Sequence, residues 1–243
     1  MVLQINPLII IPAYNEEDSI YNLVDNIKIN YKNFDYIIIN DCSTDNTEKI
    51  CRVNNFDYIS LPINLGIGGA VQCGYRYAYE NNYNIVIQLD GDGQHDPLFL
   101  NDLIKPIIDN ESDMVIGSRF LSKEGFKSSK TRRLGIIIIN KVIKICSGKT
   151  ITDATSGFRS ISRNLLKYYI KEYAQDYPEP ESILTAILNG YKIKEISVIM
   201  YKRTSGQSSI NNLRIFYYMI KVIIALILIR LFYKKINKKE KYE

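Results

Sequence analysis

Ile85-Val86-Ile87-Gln88-Leu89-Asp90-Gly91-Asp92-Gly93-Gln94-His95-Asp96-Pro97 decides how the rest of the chain is read. An apolar, β-branched run ends in two aspartates separated by one glycine, which is how a buried strand brings carboxylates to the edge of a sheet. In extended geometry Asp90 and Asp92 point the same way. Gly91 and Gly93 remove side-chain bulk and let a ligand approach the backbone. Pro97 suits the first turn of a helix, with Asp96 as its N-cap. Hard oxygen ligands at a strand end suit Mg²⁺ or Mn²⁺ carried by a diphosphate. A plain polar turn is the competing reading. A calcium loop is excluded, because His95 stands where that loop needs glycine and Asn101 where it needs a bidentate glutamate.

Working upstream, Leu8 to Ile11 is a short apolar run that reads as another buried strand, ended by Pro12-Ala13-Tyr14-Asn15. Glu16, Glu17 and Asp18 load the start of a helix whose apolar stripe is Ile20, Leu23, Val24 and Ile27. Further strands are predicted at Asp35 to Asn40, Phe56 to Leu61 and Met114 to Gly117, with helices between them. Strand and helix alternate through the first 120 residues, which predicts an α/β fold with a mostly parallel sheet flanked by helices. Ligands of such sheets bind beyond the carboxyl ends of the strands. Pro12, Tyr14, Glu16, Asp41, Asn64, Gly66, Asp90, Asp92 and Arg119 all fall at that edge. A dinucleotide-binding unit, and with it an oxidoreductase, is opposed by Val71, which stands where the third glycine after Gly66 and Gly68 belongs.

Downstream the pattern loosens. Residues 121–131 are polar and basic and read as a loop, followed by a helix from Arg132 to Ile145. Asp153 to Arg159 reads as a shaped wall, and Tyr177-Pro178-Glu179-Pro180-Glu181 fixes two glutamates in a stiff setting before a helix at Ser182 to Leu188. A strand from Ile193 to Met200 leads into a loop carrying Arg203, Ser208 and Ser209. The final helix, 211–233, is too apolar for water, yet its apolar run from Ile215 to Ile229, interrupted only by Lys221, is shorter than the roughly 20 apolar residues needed to span a bilayer.

Charge and cysteines narrow the class. Of the net charge of +5, all but a surplus of one lies in residues 230–243, so no nucleic-acid-binding face is indicated. That tail instead suits an anionic leaflet, with the helix lying in the interface; packing on a second copy of the chain, or a silent membrane scaffold, are the alternatives. The apolar row predicted for the acyl boundary is Ile223, Leu226, Ile227 and Leu231. Four cysteines without C-x-x-C spacing read as reduced thiols. The early apolar run, broken by Pro12, does not read as a signal peptide.

Several short pieces then line up in one order across residues 7–210: Ile11-Pro12-Ala13-Tyr14-Asn15-Glu16, Asn40-Asp41-Cys42-Ser43, Asn64-x-Gly66, Asp90-Gly91-Asp92-Gly93-Gln94, Gly117-Ser118-Arg119, Thr155-Ser156-Gly157-Phe158-Arg159 and Arg203-x-x-Gly206-x-Ser208-Ser209. This set resembles the family 2 glycosyltransferases of GT-A fold, in particular dolichyl-phosphate mannosyltransferases and related small bacterial enzymes. The resemblance implies a catalytic domain over 1–210, with a nucleotide-binding half to 120 and an acceptor half after it, and a membrane-lying helix over 211–243. It implies that Pro12, Tyr14, Glu16 and Asp41 line a nucleoside pocket, with Asn64 and Gly66 nearby, and that Asp90, Asp92 and Gln94 hold Mg²⁺ or Mn²⁺. Arg119, Arg132 or Arg133, and Arg203 would neutralise phosphates of the donor or acceptor, with Ser208 and Ser209 in the acceptor loop.

The implied reaction is inverting sugar transfer from a nucleotide-diphosphate sugar to a lipid phosphate or lipid-linked glycan at the cytoplasmic membrane face. Ser208-Ser209 departs from the lysine that lipid-phosphate mannosyltransferases commonly carry, and a sugar hydroxyl in capsule or cell-wall synthesis is the alternative acceptor. Such a hydroxyl needs a general base, for which Glu179 and Glu181 are the candidates. His95 is expected to support the metal motif rather than ligate.

Overall fold

Leu8, Ile9, Ile10 and Ile11 are each fully buried, and they alternate between two cores: Leu8 and Ile10 enter one, Ile9 and Ile11 the other. A strand apolar at every position needs cover on both faces, and this strand has it. The computed structural model describes residues 5–122, 130–201 and 212–239. In it the first strand is β1 (Pro7–Ala13), followed by α1 (Ile20–Asn30), β2 (Asp35–Asn40), α2 (Thr47–Val53), β3 (Tyr58–Ser60), α3 (Gly66–Glu80) and β4 (Ile85–Gln88). A 3₁₀ turn at Pro97–Phe99 leads into α4 (Leu100–Ile108), then β5 (Met114–Ser118), α5 (Lys130–Ser147), β6 (Arg159–Ser162), α6 (Arg163–Tyr169), α7 (Pro178–Leu188), β7 (Ile193–Ser197) and α8 (Asn212–Lys239).

Among the described residues, seven strands form one sheet in the order β3-β2-β1-β4-β6-β5-β7. Every pairing is parallel except those of β6, which runs antiparallel to both β4 and β5. The predicted α/β sheet is therefore present, with one reversed strand where the wall segment returns to the centre. One core lies under α1, α2 and α4 through Leu23, Val24, Cys51, Leu100 and Leu103; the other lies under α3 and α5 to α8.

The structure corrects several expected boundaries. Helix α7 begins at Pro178, not Ser182: a proline costs nothing at the first helical position, and glutamates in the first turn suit the helix dipole. Strand β7 stops at Ser197, and Met200 pairs instead with His95 in an isolated antiparallel bridge. The backbone of α8 stays helical through Lys239.

The larger correction concerns how α8 sits. Leu226 was expected in the acyl boundary, but it is fully buried, as is Val222, in the same core as Ile139, Ile143 and Leu184. Cys146 Sγ approaches the Leu226 carbonyl at 3.9 Å, and the Tyr233 hydroxyl bonds the Leu188 carbonyl. Helix α8 is thus part of the catalytic body rather than a separate appendage. Its opposite row remains exposed: Ile220, Ile224, Ile227 and Leu231. Among the described residues no helix is long and apolar enough to cross a membrane.

Candidate active site

The turns after β1 and β2 are tied to each other before any ligand is considered. Asn15 and Cys42, neither a glycine, adopt φ of 56° and 57°, a costly conformation held by its surroundings. Asn15 N–H donates to Ser43 Oγ at 3.0 Å, Thr44 N–H to Asn15 Oδ1 at 2.8 Å, and Glu16 N–H to Thr47 Oγ1 at 2.8 Å. The result is a rigid rim around a cavity of about 190 Å³ lined by Pro12, Tyr14, Glu16, Asp41, Asp90 and Asp92. Six predicted residues from three separate strand ends therefore share one cavity.

Asp41 is buried, and its two carboxylate oxygens accept from Leu65 N at 2.7 Å and Gly66 N at 2.9 Å. It caps the start of α3, where Gly66 takes a left-handed φ of +74° and Asn64 binds the Asp41 carbonyl. A Cβ on Gly68 would collide with the Gln175 carbonyl, so this glycine admits a crossing chain rather than a phosphate. We expect Asp41→Ala to cost about 1–2 kcal/mol of stability through the lost cap, read by urea unfolding; unchanged stability would return Asp41 to a purely ligand-binding part.

At the end of β4, Asp90 Oδ1 accepts from Gln88 Nε2 at 3.2 Å, and His95 packs beneath. His95 Nδ1 accepts the Asp90 N–H at 3.2 Å, which places the ring proton on Nε2, 3.8 Å from Asp90 Oδ2. The buried ring stacks on Phe158 with centroids 4.9 Å apart. His95 thus packs against Asp90 from behind. Asp92 Oδ1 accepts from Gln94 N, while Gln94 Nε2 donates to the Tyr201 carbonyl, leaving the amide oxygen as its acceptor. Asp96 caps the 3₁₀ turn by accepting from Leu98 N.

Among the described residues, no group of three His, Cys, Asp or Glu side chains stands ready to hold a metal. Two carboxylates and an amide oxygen at one strand end still fit a divalent cation whose other positions are filled by diphosphate and water.

On the far side of Asp90 lies a second cavity, of about 240 Å³, between α5, α7 and α8. Arg132, Thr155 and Glu179 give it polar groups, and Ile136, Ile139 and Met219 give it apolar ones. Asp90 belongs to the lining of both cavities. Partial desolvation and the charge of Arg119 both lower the Arg132 pKa. Arg133 instead lies over the Phe120 ring, 6.0 Å from its centroid.

Arg119 is engaged by the protein itself. Its Nε and a terminal nitrogen meet the fully buried Asp153 carboxylate at 2.7 and 2.6 Å, and Thr155 Oγ1 accepts at 2.8 Å. Arg203, Ser208 and Ser209 lie outside the described residues. Asp153, Gly157, Tyr218 and Met219 are site residues that sequence reasoning did not single out. Asp153 and Gly157 lay in the turn-rich wall, Gly157 also in the Thr155 to Arg159 piece of the resemblance, and Tyr218 and Met219 in the final helix, where no site part was assigned to them.

The two glutamates separate. Glu179 lines the second cavity, its pKa raised by burial, with Arg159 opposing and Asp90 reinforcing the shift. Glu181 does not line it, and burial, with Asp176, pushes its carboxyl up to about 7 from 4.5. A raised folded-state pKa favours the folded chain at low pH, and that contribution is lost as pH rises through about 7. Glu181→Gln should therefore stabilise more at pH 8 than at pH 5, by about 1 kcal/mol once solvent screening of this part-exposed carboxyl is allowed for. Parallel urea titrations at the two pH values check this, and a pH-independent effect would contradict it.

Residues 8–170 match the profile of glycosyl transferase family 2. The chain belongs to that family, and it is a glycosyltransferase. It is 31% identical over 234 residues to a UDP-N-acetylglucosamine–dolichyl-phosphate N-acetylglucosaminyltransferase of Methanococcus voltae, covering 86% of this chain and 92% of that one. An undecaprenyl-phosphate mannosyltransferase of Micrococcus luteus is 26% identical, with 84% and 87% covered. In fold it is similar to glucosyl-3-phosphoglycerate synthase from Mycobacterium tuberculosis, solved with Mn²⁺, UDP-glucose and phosphoglyceric acid: TM-score 0.71, 18% identity, 93% of this chain and 79% of that one. Family membership sets aside the oxidoreductase alternative.

Proposed function

We propose that this glycosyltransferase moves one sugar from a nucleotide-diphosphate sugar to a lipid phosphate, with inversion, at the cytoplasmic face of a membrane. The observation that carries the proposal is Asp90, whose carboxylate walls both cavities. The cavity bounded by Pro12, Tyr14 and Asp41 would take the nucleotide, with the half-exposed Tyr14 ring available to the base. The cavity bounded by Arg132, Ile136, Ile139 and Met219 would take a phosphate on an apolar stem. The relatives named for dolichyl and undecaprenyl phosphate use that class of acceptor.

The chemistry follows from the division. A phosphate oxygen of the acceptor attacks the anomeric carbon, the bond to the donor diphosphate breaks, and the nucleoside diphosphate leaves. Attack from the face opposite the leaving group inverts the centre. Asp90, Asp92 and Gln94 would hold Mg²⁺ or Mn²⁺, which offsets charge on the departing diphosphate. Arg132 would bind and orient the acceptor phosphate. A phosphate is already ionised, so no base is required.

One observation favours the sugar-hydroxyl reading: Glu179, a carboxylate in the acceptor cavity with a raised pKa, is where a general base would be needed. Transfer from radiolabelled UDP- and GDP-sugars to polyprenyl phosphate in vesicles, with and without Mn²⁺, tests the proposal alongside Glu179→Gln. An organic-extractable product, little changed by that substitution, is expected. Water-soluble product alone, with kcat collapsing in Glu179→Gln, would establish a hydroxyl acceptor.

A further inference from the structure

Gly157 stands in a backbone conformation that does not call for glycine, since its φ lies outside the left-handed region. What a side chain there would meet is the Asp90 carboxyl group. A Cβ would sit 2.6 Å from Oδ2, 3.0 Å from Oδ1 and 3.1 Å from Cγ, the three nearest atoms. Real Cβ contacts are not this short, so one partner would have to move.

The backbone of Gly157 is held from both sides. Before it, buried Ser156 donates from Oγ to the Gly117 carbonyl at 2.7 Å, and the Ser156 carbonyl accepts from Arg159 Nε at 3.2 Å. After it, Phe158 is fully buried, stacked on His95, with its carbonyl accepting from Gly117 N at 2.8 Å. Arg159 is itself buried and fixed to Ser182 Oγ at 2.9 Å. Asp90 is the looser party, its side chain 32% exposed and its carboxylate held, among the described residues, by the Gln88 amide at 3.2 Å and more distantly by His95 Nε2 at 3.8 Å.

We infer that Gly157 is a positioning residue for Asp90: its missing side chain is the space in which the carboxylate rests at the boundary of the two cavities. The wall segment of the acceptor half thereby sets the geometry of the metal motif in the nucleotide half. Substitution would displace Asp90 without straining the main chain. The inference rests on the reading of Asp90 as a metal ligand in the proposed function.

Full-length Gly157→Ala, Asp90→Ala and the double variant test it, by calorimetric titration with Mn²⁺ alone, Mn²⁺ with UDP and Mn²⁺ with GDP, together with thermal melts. In Gly157→Ala the Mn²⁺ affinity should fall at least about tenfold, the size of effect seen when supporting groups of metal ligands are lost, while metal-free nucleotide binding stays unchanged. Any loss of melting temperature in Gly157→Ala should vanish in the Asp90→Ala background, where the carboxyl group is gone. Wild-type Mn²⁺ affinity in Gly157→Ala would overturn the inference. So would an equal drop in melting temperature with and without the Asp90 carboxyl, which would make Gly157 a packing residue only. Full Mn²⁺ affinity in Asp90→Ala would instead overturn the metal reading, and the melting comparison would still decide whether Gly157 acts on Asp90.

Discussion

Asp153→Ala should destabilise the protein by about 3–5 kcal/mol, the usual result of removing one partner from a buried ion pair. Asp153 is fully buried and Arg119 nearly so, and the guanidinium fork meets both carboxylate oxygens. The same carboxylate also accepts the Arg119 backbone N–H at 3.1 Å. It is held from behind by Glu195, whose carboxylate takes the N–H groups of Thr152 and Asp153. Alanine at 153 would leave a charged fork in a space built to neutralise it. Asp153→Asn keeps one acceptor and should lose less. Urea unfolding of the three proteins decides it, and a loss under about 1 kcal/mol for alanine would show that water reaches Arg119 freely. Replacing both partners by apolar residues, Arg119→Met with Asp153→Leu, should recover much of the stability. That double variant then separates structure from chemistry: if it folds yet binds nucleoside diphosphate as before, Arg119 has no phosphate-binding part.

The pair also shows what a sequence conveys and what it withholds. Strand ends announce themselves, because apolar runs must be buried while a carboxylate needs water or hydrogen-bond donors, which the end of a strand supplies; hence Asp41, Asp90 and Asp92 were legible as edge residues. The parallel sheet was legible from the same alternation. The partner of Arg119 was not, since it lies 34 positions along the chain and is joined to it only by the return of β6 to the sheet. Asp41 was placed at the correct edge, but its hydrogen bonds to Leu65 and Gly66 follow from the local path of the chain into α3, which spacing does not specify. Gly157 is harder still. A glycine within a turn-rich segment reads as flexibility, whereas its use here is the volume of one absent carbon beside Asp90.

Helix α8 was misread for a physical reason: apolar residues all round a helix do not say which of them meet protein. Val222 and Leu226 meet the core, while Ile220, Ile224, Ile227 and Leu231 recur at spacings of four, three and four and remain exposed as one row. Two substitutions on opposite faces should therefore behave oppositely. Leu226→Ala should cost about 2–5 kcal/mol of stability and, by loosening α8 against α5, disturb the cavity wall at Met219. Ile224→Asp with Leu231→Asp should leave the melt unchanged, because neither side chain is in the core. On anionic vesicles the same double variant should lose at least about 100-fold in partitioning, since each side chain withdrawn from an apolar phase forfeits roughly 1.5 kcal/mol or more. High salt should weaken binding of the unsubstituted protein only in part, screening the lysines of the C-terminal tail but not the apolar row. Flotation on neutral and anionic vesicles, with sedimentation of the same samples, reads both effects. Unchanged flotation of the double variant would remove this face from the membrane. If that variant also sediments as a smaller species than its parent, the exposed row is the contact between two copies of the chain.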